Sequence, residues 1–232
     1  MINFKELPST SEYIKEHVGE LLNFDCVFAS NQTAGKGRTG HTWEVEPNKN
    51  ATFSVLVKDA KIINKFNLVS VITAYTIATY LETLGIDEVQ IKWPNDVYVR
   101  GKKIAGILLE GNYPNYLIIG IGINVNQVNF PNFEAISIKN VFDIKFNPNL
   151  VATDIYDLLK DNIKYLPDDL EDIIDELDEK DHLLNKTISF TYNGEELQGI
   201  AKGFNLDGTY KVLYNDKVLD INSSEISLVR IK

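Results

Sequence analysis

Residues 92–110 read Lys-Trp-Pro-Asn-Asp-Val-Tyr-Val-Arg-Gly-Lys-Lys-Ile-Ala-Gly-Ile-Leu-Leu-Glu. An amide (Asn95), a carboxylate (Asp96) and the cations Lys92, Arg100, Lys102 and Lys103 stand beside two strand-like runs. Pro94 fixes a turn that presents Asn95 and Asp96. Gly106 interrupts the β-rich run Ile104–Leu109. Glycine inside a strand pattern marks a bulge or a close approach by ligand or backbone. The combination suggests a floor for a flat or slim ligand, with charged groups at its rim. An Asx-type turn with no chemical role is the plainer reading of Asn95 and Asp96.

A second segment, Gln32-Thr33-Ala34-Gly35-Lys36-Gly37-Arg38-Thr39-Gly40-His41-Thr42-Trp43, is a basic glycine-rich loop ending in an aromatic residue. Gly35, Gly37 and Gly40 let backbone N–H groups approach a phosphate closely. Arg38 brings a guanidinium fork that matches carboxylate and phosphate and stays charged. Alone, such a loop could be a surface turn. A third segment, Ile119-Gly120-Ile121-Gly122-Ile123-Asn124-Val125-Asn126, is a glycine-punctuated strand ending in amides. It does not read as a dinucleotide fingerprint, because no helix clearly follows.

In order, spacing and residues, these three segments resemble the biotin protein ligase family (biotin–[acetyl-CoA-carboxylase] ligase), by motif over roughly residues 5 to 130. The resemblance implies an α+β fold. Its parts are a mixed β-sheet catalytic domain with flanking helices, of the class II aminoacyl-tRNA synthetase and biotin ligase type, and a small C-terminal SH3-like β-barrel. It also implies a two-step reaction. Biotin and MgATP give biotinyl-5′-AMP and pyrophosphate. A lysine ε-amine on a biotin carboxyl carrier domain then attacks the mixed anhydride, giving an amide and AMP.

The same resemblance assigns residues. Arg38, Lys103 and Asp96 are the catalytic candidates, Asp96 as a group that orients or deprotonates the incoming lysine. Ser9, Thr10 and Gln32 fall on the ureido side of biotin, where buried donors and acceptors need matched partners. Gly35, Lys36, Arg38 and Lys103 fall toward its carboxylate, and Gly106, Ile107 and Leu108 form the apolar floor. For ATP the candidates are Arg38, His41, Trp43, Asn95, Lys103 and Asn124, with Trp43 covering adenine. Mg²⁺ is implied by ATP chemistry and reaches protein mainly through phosphates and water, so its ligands stay unassigned. Three positions depart from the family pattern: Lys36 and His41 stand where arginine is common, and Ser11 where asparagine is frequent. The rival readings are a lipoate or octanoate ligase or transferase, a non-catalytic biotin-binding regulator, and an interaction module built on the barrel.

Elements must hold these groups in place. Ser9, Thr10 and Ser11 offer N-caps for a helix through Tyr13, Ile14, Val18, Leu21 and Leu22. Phe24–Ser30 and Ala51–Val57 read as strands, the latter fully buried. Asn64 is expected to cap a long helix through Leu84, with Gly85 as its stop. Strands follow at Val89–Lys92 and from Val97, Lys103 and Tyr116. Helices are expected over Asn149–Leu159 and Leu166–Leu177, the second with a solvated acidic face. Five short strands follow between Thr187 and Ile231, with a hairpin signal at Asn193-Gly194. The expected division is a catalytic domain over 1–184 and a barrel over 185–232.

With 232 residues and 44% hydrophobic content, the chain can bury a sizeable core with a small satellite domain. A formal net charge of −10 argues against general nucleic-acid affinity, while a local basic site can still draw anions. The single cysteine, Cys26, permits no internal disulfide and reads as a core thiol. The N-terminus has no signal-peptide apolar region and no run reaches membrane-span length. A soluble, cytoplasmic protein is expected, without a preceding helix-turn-helix and without DNA or membrane as partners. The resemblance allows either a monomer or a sheet-paired homodimer.

Overall fold

The computed structural model describes residues 1–131 and 134–231. Among them the first part of the chain supplies strands β1 (Ile2–Phe4), β2 (Cys26–Ala29), β3 (Ala51–Val57), β4 (Val89–Lys92), β5 (Asp96–Val99), β6 (Lys102–Asn112) and β7 (Tyr116–Ile123). They form one sheet in the order β1-β2-β3-β7-β6-β5-β4. β1 runs parallel to β2 and the other pairs are antiparallel, so the sheet is mixed. Helices α1 (Thr10–Glu16), α2 (Ala60–Ile63), α3 (Phe66–Thr83), α4 (Ile138–Phe142), α5 (Pro148–Lys164) and α6 (Ile174–Lys180) flank it.

Side-chain alternation along the strands explains the layers. Val27, Leu56 and Ile118 point to one face, where Ile14 of α1 and Leu21 close a small cluster. Phe28, Phe53, Val55 and Ile119 point to the other, against Val69, Ile77 and Leu81 of α3 and Ile155 of α5. β3 is buried at every position because both faces are covered.

After residue 184 the pattern switches to short antiparallel strands: β8 (Thr187–Tyr192), β9 (Glu195–Phe204), β10 (Tyr210–Tyr214), β11 (Lys217–Ile221) and β12 (Ile226–Ile231). They form a second sheet, β11-β10-β9-β8-β12, consistent with the SH3-like domain. Asn193 (φ 50°) and Gly194 (φ 83°) make the β8–β9 turn, both in the left-handed region. A two-residue hairpin turn of this kind matches the twist of its strands.

Three local expectations need correction. Asn64 ends α2 rather than starting the long helix, whose N-cap is Lys65. Asp59, whose side chain accepts from Lys61 N–H, starts that extra turn first. The helix after Ser9 stops at Glu16, with His17 as C-cap, and Leu21 is buried from a turn. The stretch Leu166–Leu177 is not one helix: a 3₁₀ turn over Glu171–Ile173 precedes α6. Asp169 accepts from Glu171 N–H, a local bond that competes with helix propagation. Gly85 follows the C-cap Leu84 with φ 86°, the stop expected of glycine. Cys26 is a buried thiol whose pKa burial pushes up.

Candidate active site

A cavity of roughly 260 Å³ opens between the N-terminus of α1, the glycine-rich loop, the 93–96 turn and the centre of the sheet at β6 and β7. Its far end is polar. Thr10 N–H and Oγ1 both meet Gln32 Oε1, at 2.7 and 3.0 Å, and Thr10 Oγ1 lies 2.7 Å from Ser54 Oγ. Ser9 Oγ is 3.0 Å from Ser11 Oγ and also caps α1 by accepting from Glu12 N–H at 3.5 Å. Capping and cavity lining therefore coincide at Ser9. These groups hold a hydrogen-bonding surface in place before any ligand arrives, which removes ordering cost from binding.

The floor is bare by design of the strand register. Gly106 of β6 pairs directly with Gly122 of β7, so two missing side chains lie side by side. The Trp43 indole fills that space. A Cβ at Gly122 would overlap the indole, and one at Gly106 would stand 3.1 Å from both Trp43 Cζ3 and Lys103 Nζ. Ile107 and Ile121 flank the patch in the cavity wall. Trp43 Nε1 is buried and has no hydrogen-bond partner among the described residues, so a ligand acceptor above this floor would complete it.

The loop itself is folded rather than extended. Trp43 N–H donates to Gly35 O at 3.0 Å, and Gly37 N–H to His41 O at 2.7 Å. A Cβ at Gly35 would be 2.6 Å from Trp43 O, so this crossing requires glycine. Lys36 Nζ reaches Glu12 at 2.7 Å, and Glu12 also meets Lys15 at 2.8 Å. The charge of Lys36 is thus turned onto α1, and both lysines hold the Glu12 carboxyl below its ordinary pKa.

Charge concentrates on the rim. Lys103 Nζ lies 2.6 Å from Asp96 Oδ1 and 5.6 Å from the centre of the Trp43 ring system. The approach to Asp96 is off-line for a hydrogen bond, so Asp96 Oδ1 is charge-compensated without a donor. Arg38 Nη1 donates to Asn95 Oδ1 at 3.4 Å, and Asn95 Nδ2 to Ile107 O at 2.9 Å. Arg38 Nη2 donates to Ser223 O at 2.6 Å and Ile226 O at 2.7 Å, both in the C-terminal part. Burial lowers the Arg38 pKa, and Asp96 opposes that shift. Burial also lowers the Lys92 pKa; Asp96 again opposes, while Lys103 and Arg230 add to the lowering.

Most of the expected site residues line this one cavity: Ser9, Thr10, Gln32, Lys36, Arg38, His41, Trp43, Asn95, Asp96, Lys103, Gly106, Ile107 and Leu108. Two do not. Gly35 acts behind the loop, and Asn124 lies beneath it, buried, with Nδ2 donating to Lys103 O at 3.3 Å. Lys92, a rim cation in the sequence but given no role there, lines the cavity, as does Ser54, which the sequence does not single out; the carbonyls of Ser223 and Ile226 are likewise not foreseen. Lys92 carried a signal, since it begins the 92–96 motif. Ser54 sits in a strand that reads as pure core.

Two cations, a buried indole and a polar far end on a mixed sheet make a site suited to a slim anionic ligand. Comparison with known proteins agrees. Residues 4–126 match the model of the Biotin/lipoate A/B protein ligase family, and the chain belongs to that family. It is 26% identical over 232 residues to the bifunctional ligase/repressor BirA of Escherichia coli, covering 96% of this chain and 72% of that protein. It is 33% identical over 105 residues to the biotin–[acetyl-CoA-carboxylase] ligase of Mycobacterium tuberculosis, covering 44% of this chain and 39% of the relative. Among solved structures, the biotin protein ligase from Aquifex aeolicus in complex with biotin and ATP superimposes with a TM-score of 0.89 at 26% identity. That match covers 100% of this chain and 98% of the other.

Proposed function

We propose that this chain is an ATP-dependent biotin protein ligase that joins biotin to one lysine of a biotin carboxyl carrier domain. The observation that carries the reading is the convergence of Arg38, Lys103 and Trp43 over the Gly106–Gly122 floor, with the Thr10–Gln32–Ser54 cluster at the far end. Biotin's fused rings suit the apolar wall of Ile107 and Leu108 beside the indole-covered glycines, its ureido group the polar end, and its carboxylate the cationic rim.

In the first step a carboxylate oxygen attacks the α-phosphorus of ATP and pyrophosphate leaves. Both partners are anionic, so the barrier includes their repulsion. Arg38 and Lys103 offset it and stabilise charge on the phosphoryl oxygens. In the second step the lysine amine attacks the acyl carbon, the C–O bond to AMP breaks, and AMP leaves. The amine must first lose a proton, because a free lysine is mostly protonated at neutral pH. We assign that task to Asp96, which already holds a cationic amine, that of Lys103, at 2.6 Å. Mg²⁺ enters with ATP as part of the substrate. Among the described residues no cluster of carboxylates and histidines stands ready to hold it separately.

The remaining assignments are readings of the same kind. His41 and Asn95 face the nucleotide, and Asn124 supports it through the Lys103 backbone. The acceptor is a carrier domain of a biotin-dependent carboxylase, and the protein works in the cytoplasm. No helix among the described residues is long and apolar enough to cross a membrane. We place the domain division at 184/185, which the switch from the first sheet to β8 supports.

The deciding experiment is biotin-dependent exchange of labelled pyrophosphate into ATP, run beside the same assay with lipoate. Exchange with biotin alone is expected. Exchange with lipoate alone would transfer the assignment to the lipoate side of the family.

A further inference from the structure

We infer that Asn67, at the start of α3, is a positioning residue for Arg38, acting through the 222–225 turn of the C-terminal domain. The inference rests on the ligase reading for its kinetic consequence but not for its geometry. Arg38 presents five N–H donors. Nη2 spends both of its own on Ser223 O and Ile226 O, and Nη1 gives one to Asn95. The second Nη1 hydrogen and the Nε hydrogen have no such role among the described residues. Nη2, the nitrogen common to both two-donor edges of the guanidinium, is therefore committed to the C-terminal part, and the remaining Nη1 and Nε hydrogens, which point apart, are left to meet an anion singly.

The turn that supplies the back-stop is itself fixed. Asn222 N–H donates to Glu225 Oε2 at 3.1 Å, Ser224 N–H to Asn222 Oδ1 at 3.1 Å, and Glu225 N–H to Asn222 O at 3.0 Å. Asn67 ties it to the first domain: Oδ1 accepts from Ser223 N–H at 3.4 Å and from Ser223 Oγ–H at 3.2 Å. A second turn of the barrel presses on the same spot, since a Cβ at Gly208 would lie 2.8 Å from the Asn67 carbonyl carbon. Asn67 is thus where the barrel registers on α3, and Ser223 O passes that register to Arg38. A shift there moves the guanidinium, and small displacements of a positioned group are costly in rate.

The test compares N67A, N67D, R38K and R38K/N67A with the unsubstituted protein in two assays. In biotin-dependent pyrophosphate exchange, N67A is expected to lower kcat/KM about tenfold, N67D to stay close to the parent because its carboxylate still accepts from Ser223, and N67A to add nothing in the R38K background. In limited trypsin digestion, N67A is expected to speed cleavage after Arg38 relative to cleavage after the neighbouring, more exposed Lys36. Equal loss from N67A in both backgrounds, an N67D as impaired as N67A, or an unchanged Arg38-to-Lys36 cleavage ratio would each overturn the inference. Absence of exchange in the parent would refute the ligase reading instead, leaving the cleavage ratio to decide this one.

Discussion

Trp93 lies flat against Tyr210, with ring centroids 4.7 Å apart and planes 13° from parallel. Trp93 belongs to the turn that carries Asn95 and Asp96, and Tyr210 to β10 of the second sheet. Both rings are essentially buried. The Tyr210 hydroxyl donates to Asp181 Oδ2 at 2.6 Å, and Asp181 Oδ1 accepts from Leu183 N–H at 2.8 Å. One aromatic pair and one buried carboxylate therefore pin the 93–96 turn to the barrel. Tyr210→Phe keeps the stack and strands an acceptor, which costs about 1–3 kcal/mol of stability. We expect a lower melting temperature with kcat/KM nearly unchanged. Tyr210→Leu removes the ring as well and should also lower kcat/KM. Equal activity in both variants, measured on folded protein, would detach the stack from catalysis.

Asp181 should make stability fall with rising pH. Burial raises its pKa from 3.8 to about 6, and Asp178 adds to the rise, although Tyr210 and the Leu183 N–H pull the other way. The folded state thus favours the protonated form. Its contribution is complete below the ordinary carboxylate pKa and is lost as pH climbs through about 6. The loss is on the order of 3 kcal/mol by linkage. Asp181→Asn cannot titrate. Its stability relative to the parent should improve between pH 5 and pH 7.5, read from denaturant midpoints at each pH; parallel curves would refute the assignment.

Gly122→Ala tests the floor. A methyl there meets the indole of Trp43, while the backbone is fixed by pairing on both sides. Trp43 must lift, so its fluorescence should shift and the KM for ATP should rise about tenfold or more. Stability should change by less than about 1 kcal/mol, because alanine suits a strand better than glycine. An unchanged KM would place adenine elsewhere.

The roles proposed for Lys103 and Asp96 predict different effects on the two half-reactions. Lys103→Gln removes a cation from the proposed phosphoryl site and should reduce pyrophosphate exchange about 100-fold or more. Asp96→Asn should slow transfer to the carrier lysine more than adenylation, measured by single-turnover transfer from preformed adenylate. Equal loss in both steps would end the base assignment.

The parts read from sequence and the parts missed differ in kind. Glycine, proline and charged side chains announce themselves, so the loop around Arg38, the 93–96 turn and the glycine at 106 are legible in the sequence. A continuous apolar run bounded by polar residues suffices for β3, and short runs between turn residues suffice for the five strands after residue 184. The start of α3 was misread because Asn64 is a good cap by type, yet Asp59 initiates a turn before it. Leu166–Leu177 has helical apolar spacing, which says nothing of the 3₁₀ turn over Glu171–Ile173. The contacts on Arg38 were out of reach for a different reason. Ser223 and Ile226 act through carbonyl oxygens, which every residue carries, and only long-range packing aims them.

Those two carbonyls also set a schedule for synthesis. A ribosome that has made the first 220 residues has produced the whole glycine-rich loop, the 93–96 turn and the floor. It has not yet produced either acceptor for Arg38 Nη2. Contacts spanning 185 and 188 residues form late, because so much chain must be closed first. A nascent chain can therefore expose a nearly complete motif set and still lack a seated arginine. Onset of activity in a translation reaction would mark the moment the second sheet docks, and so serve as a clock for folding of the entire molecule.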